Sequence, residues 1–147
     1  MNRVVVTGIG VISCLGNSKD EVLSSLLDSR SGITLNPEYK ENGMRCQISG
    51  QVNPNLQIIE RKMLRFMSET SAYAFLSTKE ALADSGLSIE DINNDTTGVI
   101  VGSGTGSSRE LKNVVDTARE KGIKRVGPYA VTRTMGNTTS ACISTFF

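Results

Sequence analysis

A long stretch of helical sequence, residues 60–84, most constrains how this chain can fold. Its apolar side chains recur at the spacing of an amphipathic helix, but residues 72–76 are five apolar residues in a row and leave no polar face there. Charged residues stand only near the two ends of the stretch, and Gly86 is suited to a left-handed stop just after it. The sequence therefore predicts one long helix whose middle is buried on nearly every side, between layers of other structure.

Two short apolar runs predict buried strands. Residues 3–12 are mostly β-branched and include Gly8 and Gly10, which indicates close approach by a neighbouring backbone. Residues 96–101 form a second run of the same kind. Both are typical of central strands, so the fold class that we predict is α/β. A dinucleotide-binding turn is the alternative for the first run, but Ser13 stands where that fingerprint requires its third glycine.

A glycine-rich turn follows the second run, at residues 102–108. Such turns between a strand and a helix often hold phosphate on exposed backbone N–H groups. The dinucleotide spacing fails here too because Ser107 takes the place of the third glycine, and no lysine follows as in a phosphate-binding loop. A tight crossover that lets another backbone approach is the favoured alternative.

Local signals predict three further helices, over residues 19–27, 109–121 and 128–135. Asn17 or Ser18 can cap the first of them, and Gly122 ends the second. Pro128 suits the first turn of the third. The segment after the first helix is irregular, and only residues 44–52 alternate like a strand.

Composition excludes several classes of function. The formal net charge of +1 gives no general reason to bind nucleic acid. No apolar run reaches the roughly 18 residues of a membrane span, and the N-terminus lacks the apolar core of a signal peptide. The cysteines follow no metal or redox spacing, which favours a reducing compartment. We therefore expect a cytoplasmic protein with no nucleic-acid partner and no membrane partner.

The chain contains no histidine. A mechanism that uses imidazole as acid, base or metal ligand cannot be completed by this chain alone. We expect no metal ion, no cofactor and no catalytic residue among residues 1–147, which fit about one domain by length. Residues 140–147 begin an apolar element and stop without a polar closing turn, so we also expect the chain to be part of a longer protein.

Several motifs, taken in order along the chain, resemble one family. They are Val4-Val-Val-Thr-Gly-Ile-Gly-Val-Ile-Ser13, Arg30-Ser-Gly-Ile33, Arg65-Phe-Met-Ser68 with Tyr73-Ala-Phe-Leu76, Gly102-Ser-Gly104, and Val126-Gly-Pro-Tyr-Ala-Val-Thr-Arg-Thr-Met135 followed by Ser140-Ala-Cys142. Together they resemble the β-ketoacyl-acyl carrier protein synthases, most closely the type I enzyme of bacterial fatty acid synthesis. The likeness covers the whole chain but only the first third or so of such a synthase, so we expect residues 1–147 to be part of its N-terminal domain.

The resemblance implies both a fold and a reaction. The fold is thiolase-like, with two similar α/β halves per subunit in a homodimer, and this chain holds an incomplete part of it. The reaction condenses an acyl group, held as a thioester on a cysteine, with malonyl carried on acyl carrier protein. A histidine pair and a lysine assist it. Because the chain stops before the segment that bears the nucleophile, we expect residues 1–147 to be inactive alone.

Ser140-Ala-Cys142 is similar to the Ser-Ala-Cys of the family's nucleophile but stands in another context. In the family, Ala-Thr-Ser follows the nucleophilic cysteine, whereas Ile143-Ser-Thr145 follows here. Cys142 is therefore predicted to be a buried structural cysteine.

Two basic groups stand out: Arg61, Lys62 and Arg65, and then Lys121, Lys124 and Arg125. Cations at the start of a helix oppose its dipole at a cost of ~0.3–1 kcal/mol each, so helix stability does not explain the first group. The resemblance implies contacts with the strongly acidic acyl carrier protein at Lys62 and Arg65 and, from the partner subunit, at Lys121 and Lys124. A solvated face with ordinary charges is the alternative.

The resemblance also implies substrate contacts. Met135 matches a position that reaches across the dimer to line the acyl pocket of the other subunit, and Thr105 falls near that pocket. Simple packing is the alternative for both. Two other functions stay open for the chain: a catalytically inert module that binds an acidic partner such as the carrier protein, and a nucleotide-binding α/β domain that uses the glycine turns.

Overall fold

The structure is a computed structural model that describes residues 3–147. Contacts divide these residues into two compact units. The first unit runs to Asn55 and takes in Leu76–Gly86, and the second consists of Leu56–Phe75 and Leu87–Phe147.

The first unit contains helices α1 (Lys19–Leu27) and α2 (Pro37–Glu41) and strands β1 (Ile33–Leu35) and β2 (Ile48–Gly50). The two strands pair antiparallel, with Thr34 opposite Ser49, and α2 lies in the connection between them. The strand-like alternation of residues 44–52 is therefore confirmed only in its middle, over β2.

Side-chain caps fix the starts of both helices in this unit. The predicted bounds of α1 are confirmed, and Ser18 is its cap, since the Ser18 hydroxyl accepts from the Glu21 N–H at 3.2 Å. Asn36 caps α2 in the same way, by accepting from the Glu38 N–H at 3.1 Å, and Pro37 fills the first helical position. This short helix lies in the segment that the sequence predicts to be irregular.

The predicted strands at residues 3–12 and 96–101 are wrong for the part of the chain that the structure describes. Residues 3–12 follow an irregular path along α4 (Glu69–Ser85), where the Ile9 N–H donates to Asp84 Oδ2 at 3.0 Å and the Val11 N–H donates to Glu80 Oε2 at 2.8 Å. Residues 96–101 form no ladder either, and most of their side chains are exposed. The physical reason is that a strand needs a neighbouring strand to accept its backbone hydrogen bonds. Residues 3–147 offer no such neighbour to these two runs.

The close backbone approach predicted at Gly8 and Gly10 is confirmed. A Cβ on Gly10 would lie 2.8 Å from the Ala81 N and closer still to the Ser77 carbonyl oxygen. A Cβ on Gly8 would lie 2.9 Å from the Ser85 backbone N. Both glycines are thus needed for the N-terminal segment to lie against the backbone of α4.

The single long helix predicted over residues 60–84 is two helices, α3 (Arg61–Leu64) and α4. Ser68 separates them, because its hydroxyl accepts from the Ser71 N–H at 3.3 Å and so begins α4 as a cap. The predicted burial of the middle is confirmed in part, since Ala72 and Phe75 are buried, whereas Tyr73, Ala74 and Leu76 are only partly buried. Gly86, with a φ of 71°, follows the last turn as predicted. No helix within residues 3–147 is long and apolar enough to cross a membrane.

The second unit contains four more helices: α5 (Ile89–Ile92), α6 (Ser108–Lys121), α7 (Ala130–Thr134) and α8 (Thr138–Phe146). The helix predicted at residues 109–121 is confirmed as α6, which starts one residue earlier because the Ser107 hydroxyl caps it and accepts from the Glu110 N–H. Gly122, with a φ of 84°, ends it as predicted. The next predicted helix forms only as α7, since Pro128 lies in the turn before it.

The core of the second unit combines apolar side chains with a buried chain of hydroxyl groups. Phe75 packs in this core and stacks on Phe147 at a ring-centroid distance of 4.8 Å. The fully buried Ser71 Oγ lies 3.2 Å from Ser68 Oγ and 3.1 Å from Thr139 Oγ1. These hydrogen bonds join the first turns of α4 to α8 and satisfy groups that would otherwise be costly to bury.

Protonation of Asp84 is expected to loosen the N-terminal segment of the first unit. The Lys19 ammonium and the Ile9 N–H donate to the Asp84 carboxylate, and these contacts, led by that of Lys19, hold the pKa of Asp84 below its ordinary value. A lowered folded-state pKa stabilises the fold above the unfolded pKa of about 3.9, and this contribution is lost as the pH falls through the folded pKa. The pKa of Lys19 is raised by the same hydrogen bond, so its contribution is lost only at strongly alkaline pH.

The measurement is the thermal unfolding midpoint of Asp84→Asn and wild type between pH 7 and pH 2. We expect the variant to unfold at lower temperature at pH 7 and the difference to shrink in acid. Asp95→Asn, an exposed aspartate with no ion pair in the described part of the chain, is the control. A difference that does not depend on pH would contradict the prediction.

Candidate functional site

The first basic group lies on α3 and directly after it. Arg61, Lys62 and Arg65 are all exposed, and the Lys62 ammonium lies 2.9 Å from Glu60 Oε2 in an ion pair whose side chains are 79% and 63% exposed. A pair this exposed contributes little and is easily exchanged for another partner. The Arg65 carbonyl oxygen accepts from Arg133 Nε at 3.0 Å, which anchors the backbone of this group.

The second basic group lies at the end of α6 and in the 3₁₀ turn Ile123–Arg125. Lys121, Lys124 and Arg125 are exposed, and none of them forms an ion pair within residues 3–147. Lys121 in the last turn of α6 is favoured by the helix dipole. Lys124 and Arg125 lie in the 3₁₀ turn after the helix and gain no such stabilisation. Three uncompensated cations therefore stand together along this short segment.

Arg133 on α7 contacts the first basic group through Arg65 and shares a cavity wall with Arg125 of the second. It was not identified as a candidate from the sequence. Besides its bond to the Arg65 carbonyl, its guanidinium Nη1 lies 3.7 Å from Glu110 Oε2 on α6. Arg133 and Arg125 both line a cavity of about 290 Å³ between α6, the 3₁₀ turn and α7, which we call the α6–α7 cavity. Its wall also includes Asn113, Thr117 and Tyr129.

A second cavity, of about 380 Å³, is mostly apolar and lies between α7 and α8. Met135 lines it together with Phe66, Cys142 and Phe146. Thr105, which the resemblance also assigned to a substrate pocket, is exposed and is not part of this wall. The structure thus places Met135, but not Thr105, at an apolar cavity.

Cys142 is buried, as the sequence predicts, with 5% of its surface exposed. Burial raises the pKa of its thiol above the ordinary value. Because the thiolate is the nucleophilic form of cysteine, a neutral buried thiol is poorly suited to attack a thioester.

The glycine-rich turn has its backbone donors partly occupied. The Gly106 N–H donates to Ser103 Oγ at 3.1 Å, and the Glu110 N–H is taken by the Ser107 cap. A Cβ on Gly106 would lie 3.4 Å from the Gly136 Cα, so another backbone does approach the turn, in line with the favoured alternative.

Comparison with known families and proteins gives one consistent result. The family described as "Beta-ketoacyl synthase, N-terminal domain" matches residues 1–147. The 3-oxoacyl-(acyl-carrier-protein) synthase 1 of Haemophilus influenzae is 46% identical over 99% of the chain, and that of Escherichia coli is 48% identical over 100% of it. The chain spans only 36% and 37% of the lengths of these two relatives.

Solved structures confirm the predicted fold class, α/β and part of a thiolase-like fold. A beta-ketoacyl synthase from Burkholderia phymatum covers 99% of the chain with a TM-score of 0.84 at 27% identity, and the chain covers 37% of that structure. A type II PKS acyl-carrier protein in complex with its ketosynthase is similar in fold, with a TM-score of 0.72 at 23% identity over 99% of this chain and 39% of that one.

Proposed function

Because this chain belongs to the beta-ketoacyl synthase family, we propose that the protein containing it condenses an acyl thioester with malonyl carried on acyl carrier protein, in the fatty acid biosynthesis of the cytoplasm. The observation that carries the proposal is the similarity to synthases of this class over 99–100% of the chain. It is an acyltransferase reaction, and this chain supplies binding surfaces for it and not the reacting groups.

The reacting groups are proposed to lie outside residues 1–147. The chain has no histidine to transfer protons, and Cys142 is a buried neutral thiol that lines an apolar cavity. A condensing enzyme needs a cysteine that is reached by the thioester and ionises readily. Packing is therefore the role that we propose for Cys142.

The carrier protein is proposed to dock on the basic groups. Lys62 and Arg65 extend into solvent from α3 and the residue after it, and Lys121 and Lys124 stand without an ion pair in the described residues. Exposed charges of one sign speed the encounter with a partner of the opposite sign more than they tighten the complex. The second group would serve the carrier bound to the other subunit of a homodimer.

The acyl chain is proposed to contact Met135. This side chain is 46% exposed and stands at the rim of the cavity between α7 and α8, whose lining is mostly apolar. An exposed methionine beside an apolar cavity adapts readily to aliphatic chains of different shape. Thr105 is proposed to lie near the acyl pocket in the assembled dimer.

Charge reversal in the full-length protein tests both the reaction and the docking site. We expect Lys62→Glu with Arg65→Glu to lower kcat/KM for malonyl-carrier protein by about tenfold or more, because two attractive charges become repulsive. The wild-type value should fall with rising salt, and the variant should lose most of this salt dependence. Lys79→Glu, an exposed lysine on α4, is the control for a change of charge alone.

The outcomes separate the two parts of the proposal. If wild type condenses and the double charge-reversal variant is equally active, Lys62 and Arg65 are ordinary solvated charges and not a docking site. Carrier binding by wild type without condensation would instead favour an inert module that binds an acidic partner.

A further inference from the structure

We propose that the α6–α7 cavity is an oxoanion site, which takes the carboxylate or phosphate group of a small ligand. The site is distinct from the apolar cavity at Met135 and does not depend on the condensation reaction. Two guanidinium groups, a carboxylate and three neutral polar side chains face one space of about 290 Å³. This volume is close to the lower end of ligand pockets, about 300 Å³, so it suits a small ligand.

Arg133 is held ready for a ligand by contacts on two sides. Its Nε donates to the Arg65 carbonyl at 3.0 Å, and its Nη1 lies 3.7 Å from Glu110 Oε2. Its side chain is 35% exposed, so the planar group is fixed by the protein while part of it remains open. A guanidinium fixed in this way loses little conformational freedom when it binds a planar or tetrahedral anion.

Arg125 supplies the charge that a ligand would neutralise. Glu110 is already matched by Arg133, whereas Arg125 has no ion pair in the described residues. The wall of the cavity therefore carries a net positive charge, and Lys124 stands next to Arg125 in the same 3₁₀ turn. A cationic pocket with one unmatched guanidinium attracts anions and disfavours cations.

Neutral groups complete the site. The Asn113 amide, the Thr117 hydroxyl and the Tyr129 phenol can each donate a hydrogen bond to an anion oxygen. Val114 and Ala130 add apolar surface to the same wall. Charged donors, neutral donors and apolar walls in one concave surface are the usual parts of a small-ligand site.

The experiment titrates the full-length protein with inorganic phosphate, and separately with acetate, against chloride at the same ionic strength. Binding is followed by calorimetry, without carrier protein and without turnover, so the result is independent of the proposed reaction. We expect saturable binding of at least one of the two anions, and Arg125→Gln should weaken it about tenfold or more. Arg119→Gln, an exposed arginine on α6 outside the cavity wall, should leave it unchanged.

Binding of phosphate alone, of acetate alone or of both supports the site and names the group that it prefers. Because Arg125 is exposed, its substitution should leave the thermal unfolding midpoint unchanged, which separates a lost site from a lost fold. Equal binding by Arg125→Gln and Arg119→Gln, or no binding beyond that of chloride, overturns the proposal.

Discussion

Gly10→Ala is expected to destabilise the protein by about 3 kcal/mol or more, the largest effect of any single substitution proposed for it. A Cβ at this position would meet the Ser77 carbonyl oxygen and would lie 2.8 Å from the Ala81 N, which are both backbone atoms of α4. A flexible side chain could move away from the new methyl group, but the hydrogen-bonded backbone of a helix cannot. The N-terminal segment would have to separate from α4 and lose its bonds to Glu80 and Asp84.

The measurement is the thermal unfolding midpoint and the soluble yield of the full-length protein. Gly98→Ala is the matched control, because a Cβ at Gly98 meets no atom within 4 Å and its φ is not in the left-handed region. We expect the control to resemble wild type. Similar midpoints for the two variants would mean that the N-terminal segment does not pack on α4 as the structure shows.

Sequence reasoning succeeded where the signal is local. Ser18, one of the two candidate caps, starts α1, and Gly122 ends α6, so each of these helix ends depends on one nearby side chain or one permissive glycine. The same kind of signal was present but unused at two places. Asn36 followed by Pro37 marks the start of α2, and Ser68 three residues before Ser71 marks the start of α4.

The two strands could not be judged from local sequence. Residues 3–12 and 96–101 have the composition of buried strands, but a strand exists only when another strand accepts its backbone hydrogen bonds. Within the described residues the N–H groups of Ile9 and Val11 instead donate to carboxylates of α4. These carboxylates lie 75 and 69 residues further along the chain. Composition indicates where a strand can form, and long-range pairing decides whether it does.

The candidate site shows the same division. The two basic groups were identified from their charges, and Met135 was identified through a family resemblance. The structure places Met135 at an apolar cavity. Arg133 was missed because its partners are a backbone carbonyl at Arg65 and the Glu110 side chain, and neither contact leaves a sequence pattern. The α6–α7 cavity depends on those contacts and so could not be predicted from the sequence.

Residues 1–147 expressed alone are expected to self-associate and to bind a hydrophobic dye. Val4, Val6 and Ile100 are 91%, 82% and 100% exposed, and all three lie in runs that have the composition of strands but no strand partner in the described residues. Unpaired strand-like segments with apolar side chains are templates for pairing with another chain, and apolar surface of this kind is rare on soluble monomers. The expected result is an early or broad peak in size-exclusion chromatography, together with enhanced dye fluorescence.

Lysine substitutions test the cause of this association. Val4→Lys with Val6→Lys should reduce both self-association and dye binding, because charge on an exposed strand-like segment opposes edge pairing. Asn42→Lys with Asn93→Lys adds the same charge at exposed polar positions outside both runs and should change neither. A sharp monomer peak for unmodified residues 1–147, with no dye binding and with strong amide protection in residues 4–12, would show that these residues fold autonomously and would refute the prediction.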